Sequence, residues 1–128
     1  MDYSATEHYL HSKPESELSH PFGPDAAVFK VMGKVFAILG VHQGREQVNL
    51  KCDPLEAMQL RDVFPSVIPG YHMNKKHWNT VILDGSIPDG EVQRQIDHSY
   101  SLIVKSLKKV DRAYLERIYP PEQLHPDG

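Results

Sequence analysis

Residues 26–39 constrain the fold more than any other part of the chain. They read AAVFKVMGKVFAIL, a run dense in β-branched and aromatic residues that is interrupted once, at Gly33. Two strand-forming runs on either side of a glycine turn are typical of a β-hairpin. The second run is apolar on both faces, which indicates a central strand covered by other elements. The chain is therefore predicted to build a sheet with at least one packed layer.

Two further segments extend the predicted sheet. Residues 47–52 alternate, with Val48, Leu50 and Cys52 on one face and Gln47, Asn49 and Lys51 on the other. This alternation predicts a strand with one packed face and one solvated face. Residues 79–84 are predicted to form another strand, which ends at the turn residues Asp84 and Gly85. Lys30, Asn49 and Lys51 are then expected on outward strand faces.

Helical signals surround these strands. A short helix is predicted over residues 4–11, and Asp53 is expected to cap a helix that reaches about Val63. Ser86, with Asp89 three residues later, predicts the start of a long helix, and Asp111 the start of a last short one. The long helix carries a core-facing stripe with helical spacing: Val92, Ile96, Tyr100, Ile103 and Leu107.

These elements predict one α+β domain over residues 1–128. It is a two-layer sandwich, with helices packed on one face of an antiparallel sheet and the other face at least partly open. Residues 1–25 are expected to form the first helix and then a loop from residue 14 onward. Residues 119–128 are expected to form a flexible tail after Pro120 and Pro121.

Composition excludes several classes of protein. The chain has 128 residues, a formal net charge of -3 and a single cysteine, which rules out an intrachain disulfide framework. It carries no secretory signal and no apolar run long enough to span a membrane, so a cytoplasmic location and no membrane partner are expected. A mild negative charge gives the whole chain no electrostatic attraction to nucleic acid.

Charge is unevenly distributed along the chain. Residues 1–27 hold one lysine and five acidic residues, residues 28–83 hold seven basic and four acidic residues, and residues 84–128 hold six basic and eight acidic residues. The predicted sheet region is thus locally basic, with acidic segments on both sides. Any attraction to nucleic acid is expected from one patch, and binding is expected to be weak and salt-sensitive.

Residues 71–79, YHMNKKHWN, are the best candidate for a binding segment. Lysines can neutralise phosphates, asparagine and histidine can donate hydrogen bonds, and aromatic rings can stack on bases. A solvated loop whose tryptophan belongs to the core is the alternative reading of the same residues. The DNA-binding candidates are Lys51, Tyr71, His72, Asn74, Lys75, Lys76, His77 and Trp78.

No metal site and no cofactor is predicted. The eight histidines form no HExxH motif, and the chain has no second cysteine to complete a zinc pattern. His8 and His11, or His72 and His77, give only pairs. No enzyme activity is predicted either, because Cys52 falls on the packed face of its strand and Asp97, His98 and Ser99 are adjacent on a helix, where neighbours do not face one another.

The chain resembles the MmcQ/YjbR family. The resemblance spans about residues 21–107 and is most specific over the string GYHMNKKHWNTV followed by LDG. It implies a CyaY-like (frataxin-like) α+β fold and a proposed double-wing DNA-binding motif. By position in the motif, the resemblance implies binding roles for Lys51, His72, Asn74, Lys75, Lys76, His77 and Trp78. The frataxin-like fold also raises iron binding, which relies on an acidic ridge on the first helix, and Asp2 and Glu7 are a poor match for it.

The function predicted is a small non-enzymatic DNA-binding module, with a regulatory role left open. The alternative is an accessory domain that binds a protein partner or a small ligand and has no nucleic-acid function. In that case the same polar segment would form the wall of a pocket. The oligomeric state stays open.

Overall fold

The sheet has six antiparallel strands in the order β1-β2-β3-β4-β6-β5. The computed structural model describes residues 1–127. The strands are β1 Ser16–Ser19, β2 Ala26–Val31, β3 Lys34–His42, β4 Arg45–Lys51, β5 Val67–Pro69 and β6 Trp78–Ile82. The predicted hairpin is confirmed, and it forms β2 and β3 at one side of the sheet centre.

The helices pack on one face of the sheet, which confirms the predicted α+β class. They are α1 Tyr3–His11, α2 Pro54–Val63, α3 Asp89–Ser106, α4 Lys109–Ile118 and α5 Pro121–Leu124. The side of the sheet that α1, α2 and α3 cover is named the helix face, and the opposite side the open face. Within residues 1–127, no helix has both the length and the apolar character that a membrane span requires.

The core lies between α3 and the helix face. All five residues of the predicted stripe on and just after α3 are buried. Phe36 and Tyr100 meet edge to face with ring centroids 5.2 Å apart, and both side chains are fully buried. Ser99 ties the two layers together, because its hydroxyl donates to the Phe36 carbonyl at 2.6 Å and accepts from the Lys51 amide at 2.9 Å.

Two short edge strands were not predicted. β1 lies in the segment expected to be a loop, and its alternating half-buried and exposed residues pair with β2. β5 holds only three residues between Pro65 and Gly70 and pairs with β6. Each edge strand is extended because it pairs with its neighbour, β1 with β2 and β5 with β6. Segments of three or four residues are too short to show a strand pattern in the sequence.

Two other expectations are wrong. α3 begins at Asp89 with Pro88 before it, and Ser86 instead bonds to Asp84. Residues 119–127 do not extend away as a tail, because they include α5 and the fully buried Leu124, and the His125 ring lies 2.6 Å from the Ser101 hydroxyl. Gly128 lies outside the described residues.

Candidate functional site

A concave apolar groove of about 720 Å³ lies on the open face. Its floor comes from outward-facing residues of three strands: Ala26, Val28, Lys30, Val35, Ile38 and Asn49. Its two rims are Pro21 and Phe22 on one side, and Tyr71, His72 and Met73 on the other. This open-face groove falls in the size range of small-molecule sites, about 300–1,000 Å³.

The first rim is held by a close contact between a loop and β3. The Asp25 carbonyl accepts from the Val41 amide at 3.2 Å and lies where a side chain on Gly40 would begin. A Cβ at Gly40 would approach this oxygen to 2.6 Å, so only glycine lets the loop cross the strand here. The loop presents Phe22, whose side chain is 76% exposed.

The second rim is the start of the loop between β5 and β6. The Tyr71 amide donates to the Thr80 hydroxyl at 2.9 Å, which fixes the loop against β6. The Tyr71 ring lies between the His42 and His72 rings, with both centroid distances 4.1 Å. His72 has a φ of 57°, in the left-handed region that a non-glycine residue adopts only when its surroundings hold it there.

Asn49, one of the two polar residues of the groove floor, is hydrogen-bonded within the fold. Asn49 is only 6% exposed, although it lies on the open face as predicted. Its Oδ1 accepts from the Thr80 hydroxyl, and its Nδ2 donates to the Tyr71 carbonyl at 3.4 Å. Asn49 therefore braces the second rim.

Two of the DNA-binding candidates, Asn74 and Lys75, hold the backbone of the loop between β5 and β6 in place. Lys75 Nζ donates to the Gly70 carbonyl at 3.0 Å, and the Lys75 carbonyl accepts from Arg61 on α2 at 3.3 Å. Asn74 Oδ1 accepts from the Lys76 amide at 2.9 Å and so stabilises the turn. The Lys76 side chain is exposed and has no carboxylate partner within residues 1–127.

The remaining candidates lie where β4 and β6 meet the loop. Lys51 and Trp78 are register partners, so their side chains are neighbours on the open face. Trp78 is half-buried, and its Cβ packs so close to Gly70 that a side chain there would clash at 2.8 Å. The His77 carbonyl accepts from the Cys52 amide at 2.8 Å. Trp78 therefore supports the fold while part of it stays accessible.

The comparisons with known proteins agree with this architecture. The sequence model of the YjbR family matches residues 11–102. The chain belongs to the YjbR family. Over 118 residues it is 36% identical to the uncharacterized protein YjbR of Escherichia coli strain K12, an alignment that covers 92% of this chain and all of that protein. It is also 40% identical to the uncharacterized protein YbdF of Escherichia coli O157:H7, over 77% of this chain and 81% of that one.

Solved structures of similar sequence have the same fold. A Deinococcus radiodurans protein with the domain description DUF419 superposes with a TM-score of 0.79 at 34% identity, covering 88% of this chain and 86% of that one. A Pseudomonas syringae protein gives a TM-score of 0.71 at 31% identity, over 80% of this chain and 98% of that one. The YjbR-family fold is therefore the fold of this chain.

Sequence reasoning missed two features of this YjbR-family protein. The groove depends on Val35 and Ile38, which the strand pattern could have indicated as outward apolar residues, and on Phe22, which lies in a loop and for which no strand pattern exists. The second feature lies on the helix face, where Cys52, Glu56 and His98 place three ligand-type atoms within 4.8 Å of one another. These three residues are named the Cys52 cluster.

Charged neighbours set the electrostatics of the Cys52 cluster. Arg94 pairs with Glu56 at 2.8 Å and with Glu91 at 2.7 Å. The hydrogen bonds from Arg94 to Glu91 hold the pKa of the Glu91 carboxyl below its usual range. Burial, together with the nearby Glu56 carboxylate, raises the pKa of the Cys52 thiol from 9.0 to about 12. The free thiol is therefore a poor nucleophile at neutral pH.

Proposed function

We propose that this protein is a non-enzymatic nucleic-acid-binding module whose open-face groove holds a single DNA strand. In this proposal the bases lie against the apolar floor and the rim aromatics, and the phosphates lie near Lys51 and Lys76. The observation that carries it is the pairing of exposed aromatic rims with lysines that have no carboxylate partner. A groove of this kind suits unstacked bases better than a closed duplex.

The charge pattern of the groove supports an anionic ligand. Among the described residues that line it, none is acidic, and Lys30 is the charged one. Glu17 lies opposite Lys30 in the β1–β2 register, so Lys30 is the less independent of the nearby cations. Lys51 and Lys76 have no carboxylate within 4.0 Å anywhere in residues 1–127. These two lysines are the better phosphate contacts.

Flat side chains supply the other half of the proposal. Phe22 offers an exposed ring on one rim, and the other rim offers the exposed His72 ring, which lies tilted by 50° against Tyr71. Stacking of one base on an aromatic side chain contributes about 1–3 kcal/mol. Attraction of this kind does not depend on the overall net charge of -3, which weakens long-range attraction to DNA.

The proposal includes no reaction. The Cys52 thiol is buried with a raised pKa, and the Ser101 hydroxyl that contacts His125 is itself buried. A substrate could reach neither group without local opening of the fold. A cytoplasmic location completes the proposal, since a lone thiol suits a reducing compartment.

The test is fluorescence anisotropy with labelled single-stranded DNA across a salt series. If Lys51 and Lys76 each contact one phosphate, the double variant Lys51→Ala/Lys76→Ala reduces the salt slope by about 1.4 units, from about 0.7 per single-strand phosphate. The matched control is Lys105→Ala/Lys109→Ala, which removes two exposed lysines of the helical layer and should leave binding unchanged. Phe22→Ala should weaken binding about tenfold.

Three outcomes contradict the proposal. The first is no binding at low salt by folded protein. The second is an equal loss in the control variant, which would mean diffuse charge attraction with no site on the open face. Labelled duplex DNA is measured in parallel, and duplex binding that exceeds single-strand binding would contradict the role given to the groove.

A small apolar ligand, or an apolar segment of a protein partner, is the second candidate. The observation that favours it is the floor of the groove, where Val28, Val35 and Ile38 form an apolar surface. A ligand of this class should raise the melting temperature of the wild type and leave Val35→Glu unaffected. Thermal shift with a metabolite panel measures this, and a positive result without DNA binding would replace the first candidate.

A further inference from the structure

We propose that the Cys52 cluster binds one Zn²⁺ ion through Cys52 Sγ, Glu56 Oε2 and His98 Nε2. The site lies on the helix face, where the end of β4, the first turn of α2 and the middle of α3 meet. A small enclosed cavity of about 10 Å³ is present there, lined by the three residues together with Asn79 and Arg94. It has room for a single ion or water molecule.

The distances between the donor atoms fit a tetrahedral ion. Cys52 Sγ lies 3.8 Å and His98 Nε2 lies 3.0 Å from Glu56 Oε2. Ligand atoms held at about 2.0–2.3 Å from one tetrahedral zinc lie about 3.3–3.8 Å apart. The third pair, Cys52 Sγ and His98 Nε2, lies within 4.8 Å. Side-chain shifts of at most about 1 Å would therefore bring the three atoms into coordination.

Neighbouring side chains already orient two of the ligands. His98 Nδ1 faces Asp127 Oδ2 at 3.2 Å, and Nε2 accepts from the Asp53 amide at 3.3 Å. A carboxylate on the far nitrogen is the usual partner of a zinc-bound histidine, because it fixes the tautomer that leaves Nε2 free. Arg94 holds Glu56 through Oε1, so Oε2 is the atom left for a metal.

The contact between Glu56 and His98 is compatible with a bound cation. With Nδ1–H given to Asp127, Nε2 has one lone pair, which lies 3.3 Å from the Asp53 amide nitrogen and 3.0 Å from Glu56 Oε2. A metal ion would take this lone pair in place of the Asp53 amide. Two acceptors at this distance repel unless a proton or a metal ion lies between them. Zn²⁺ satisfies both acceptors and Cys52 Sγ together.

An independent observation comes from Asn79 on β6. This residue is 1% exposed, and its Nδ2 donates to the Ala57 carbonyl at 3.3 Å. Its Oδ1 is buried and has no hydrogen-bond partner among residues 1–127, although the side chain lines the same cavity. A buried acceptor without a partner is destabilising. A metal-bound water would satisfy it and fill the fourth coordination position.

The donor set selects the type of metal. Sulfur, imidazole nitrogen and one carboxylate oxygen suit Zn²⁺ and disfavour Mg²⁺ or Ca²⁺, which take oxygen ligands. Binding displaces the Cys52 thiol proton to solvent, so the ion is bound by a thiolate. The bound ion would join the sheet to α2 and α3, and through Asp127 to the carboxy-terminal segment.

Cobalt(II) is the probe for this site, since it substitutes for zinc and is coloured. Chelator-treated full-length protein should take up one equivalent, with a thiolate-to-cobalt charge-transfer band and the visible bands of a tetrahedral complex. One equivalent of Zn²⁺ should then abolish both signals. Isothermal titration calorimetry with Zn²⁺ gives the affinity of each variant.

Four variants test the assignment. Cys52→Ser should remove the charge-transfer band, and His98→Gln should weaken zinc binding about 100-fold or more. Asp127→Asn should weaken it about 10- to 100-fold, as expected for a residue that orients a ligand. The control His8→Gln removes an exposed histidine on α1 and should change nothing. Circular dichroism checks that each variant is folded.

Absence of a charge-transfer band in the wild type would overturn the proposal. So would zinc binding that His98→Gln and Asp127→Asn leave unchanged, a result that stands even if Cys52→Ser fails to fold. The proposal is independent of the nucleic-acid proposal, because the Lys51→Ala/Lys76→Ala variant should bind Zn²⁺ as tightly as the wild type.

Discussion

Two buried asparagines lie on neighbouring strands and face opposite sides of the sheet. Asn49 on β4 faces the open side and has partners for both ends of its amide, Thr80 and the Tyr71 carbonyl. Asn79 on β6 faces the helices and has a partner for its Nδ2 alone. Hydrogen bonds within the fold explain why Asn49 is buried, because its side chain holds the loop that begins at Tyr71 in place. Asn79 Oδ1 has no hydrogen-bond partner among the described residues, and the proposed zinc site would supply one.

The largest loss of unfolding free energy is expected from a substitution on the helix face of β3, with a substitution on its open face as the comparison. Phe36 is fully buried against Tyr100 on the helix face, so Phe36→Ala should cost about 3–5 kcal/mol of unfolding free energy. Ile38 is half-buried on the groove floor, and Ile38→Ala should cost less than about 2 kcal/mol because water can fill the space. Urea unfolding measures both. Equal losses would mean that the open face is packed like a core.

A smaller effect is expected from exchanging each asparagine for leucine, which has a similar size. Asn49→Leu leaves the Thr80 hydroxyl and the Tyr71 carbonyl without their partner, and should cost about 1–3 kcal/mol. Asn79→Leu also removes an acceptor that has no partner, so the metal-free protein should lose less than about 1 kcal/mol. The urea midpoints of the two variants test this. A larger loss of stability in Asn79→Leu than in Asn49→Leu would contradict the difference drawn between the two asparagines.

The smallest effect is expected at the far end of β6. Asp84 there accepts hydrogen bonds from Ser66 and from the hydroxyl and amide of Ser86, which lower the pKa of its carboxyl from 3.8 to about 2. The folded pKa is below the unfolded one, so this stabilisation is present above about pH 4 and is lost as the pH falls toward 2. The effect is small because Asp84 is exposed and screened by solvent.

Acid unfolding of Asp84→Asn measures this contribution. The variant should show a weaker decline of stability between about pH 4 and pH 2 than the wild type. Asp62→Asn is a suitable control, since it removes another exposed carboxylate from an acidic chain. An unchanged decline in Asp84→Asn would show that its hydrogen bonds do not persist in solution.

Periodicity in the sequence was sufficient to predict the central elements. The hairpin at Gly33 and the stripe on α3 are confirmed. The alternation around Leu50 correctly predicts which residues share a face of β4, but Gln47 and Asn49, expected on a solvated face, are buried. Capping was less reliable: Asp53 caps α2 as predicted, but Ser86 bonds to Asp84 and leaves the start of α3 to Pro88. Several local hydrogen bonds compete for a serine, and the sequence does not rank them.

The sites were harder to predict because they are assembled by tertiary contacts. Lys51, Tyr71 and His72 were identified from residue type, yet the groove also needs Phe22, which packing of a loop against Gly40 brings to the rim. Glu56 and His98 lie far apart in sequence, and only the packing of α2 beside α3 joins them to Cys52. No spacing motif describes such a set, so sequence patterns alone could not bring these three residues together.

The short edge strands affect the tendency of the protein to aggregate at high concentration. β1 has four residues and β5 has three, and Pro69 in β5 has no N–H to offer to an incoming strand. Addition of a strand from a second molecule, which is the common route to β-aggregation, is therefore disfavoured at both ends of the sheet. The molecule can keep one broad face of its sheet uncovered and still resist aggregation.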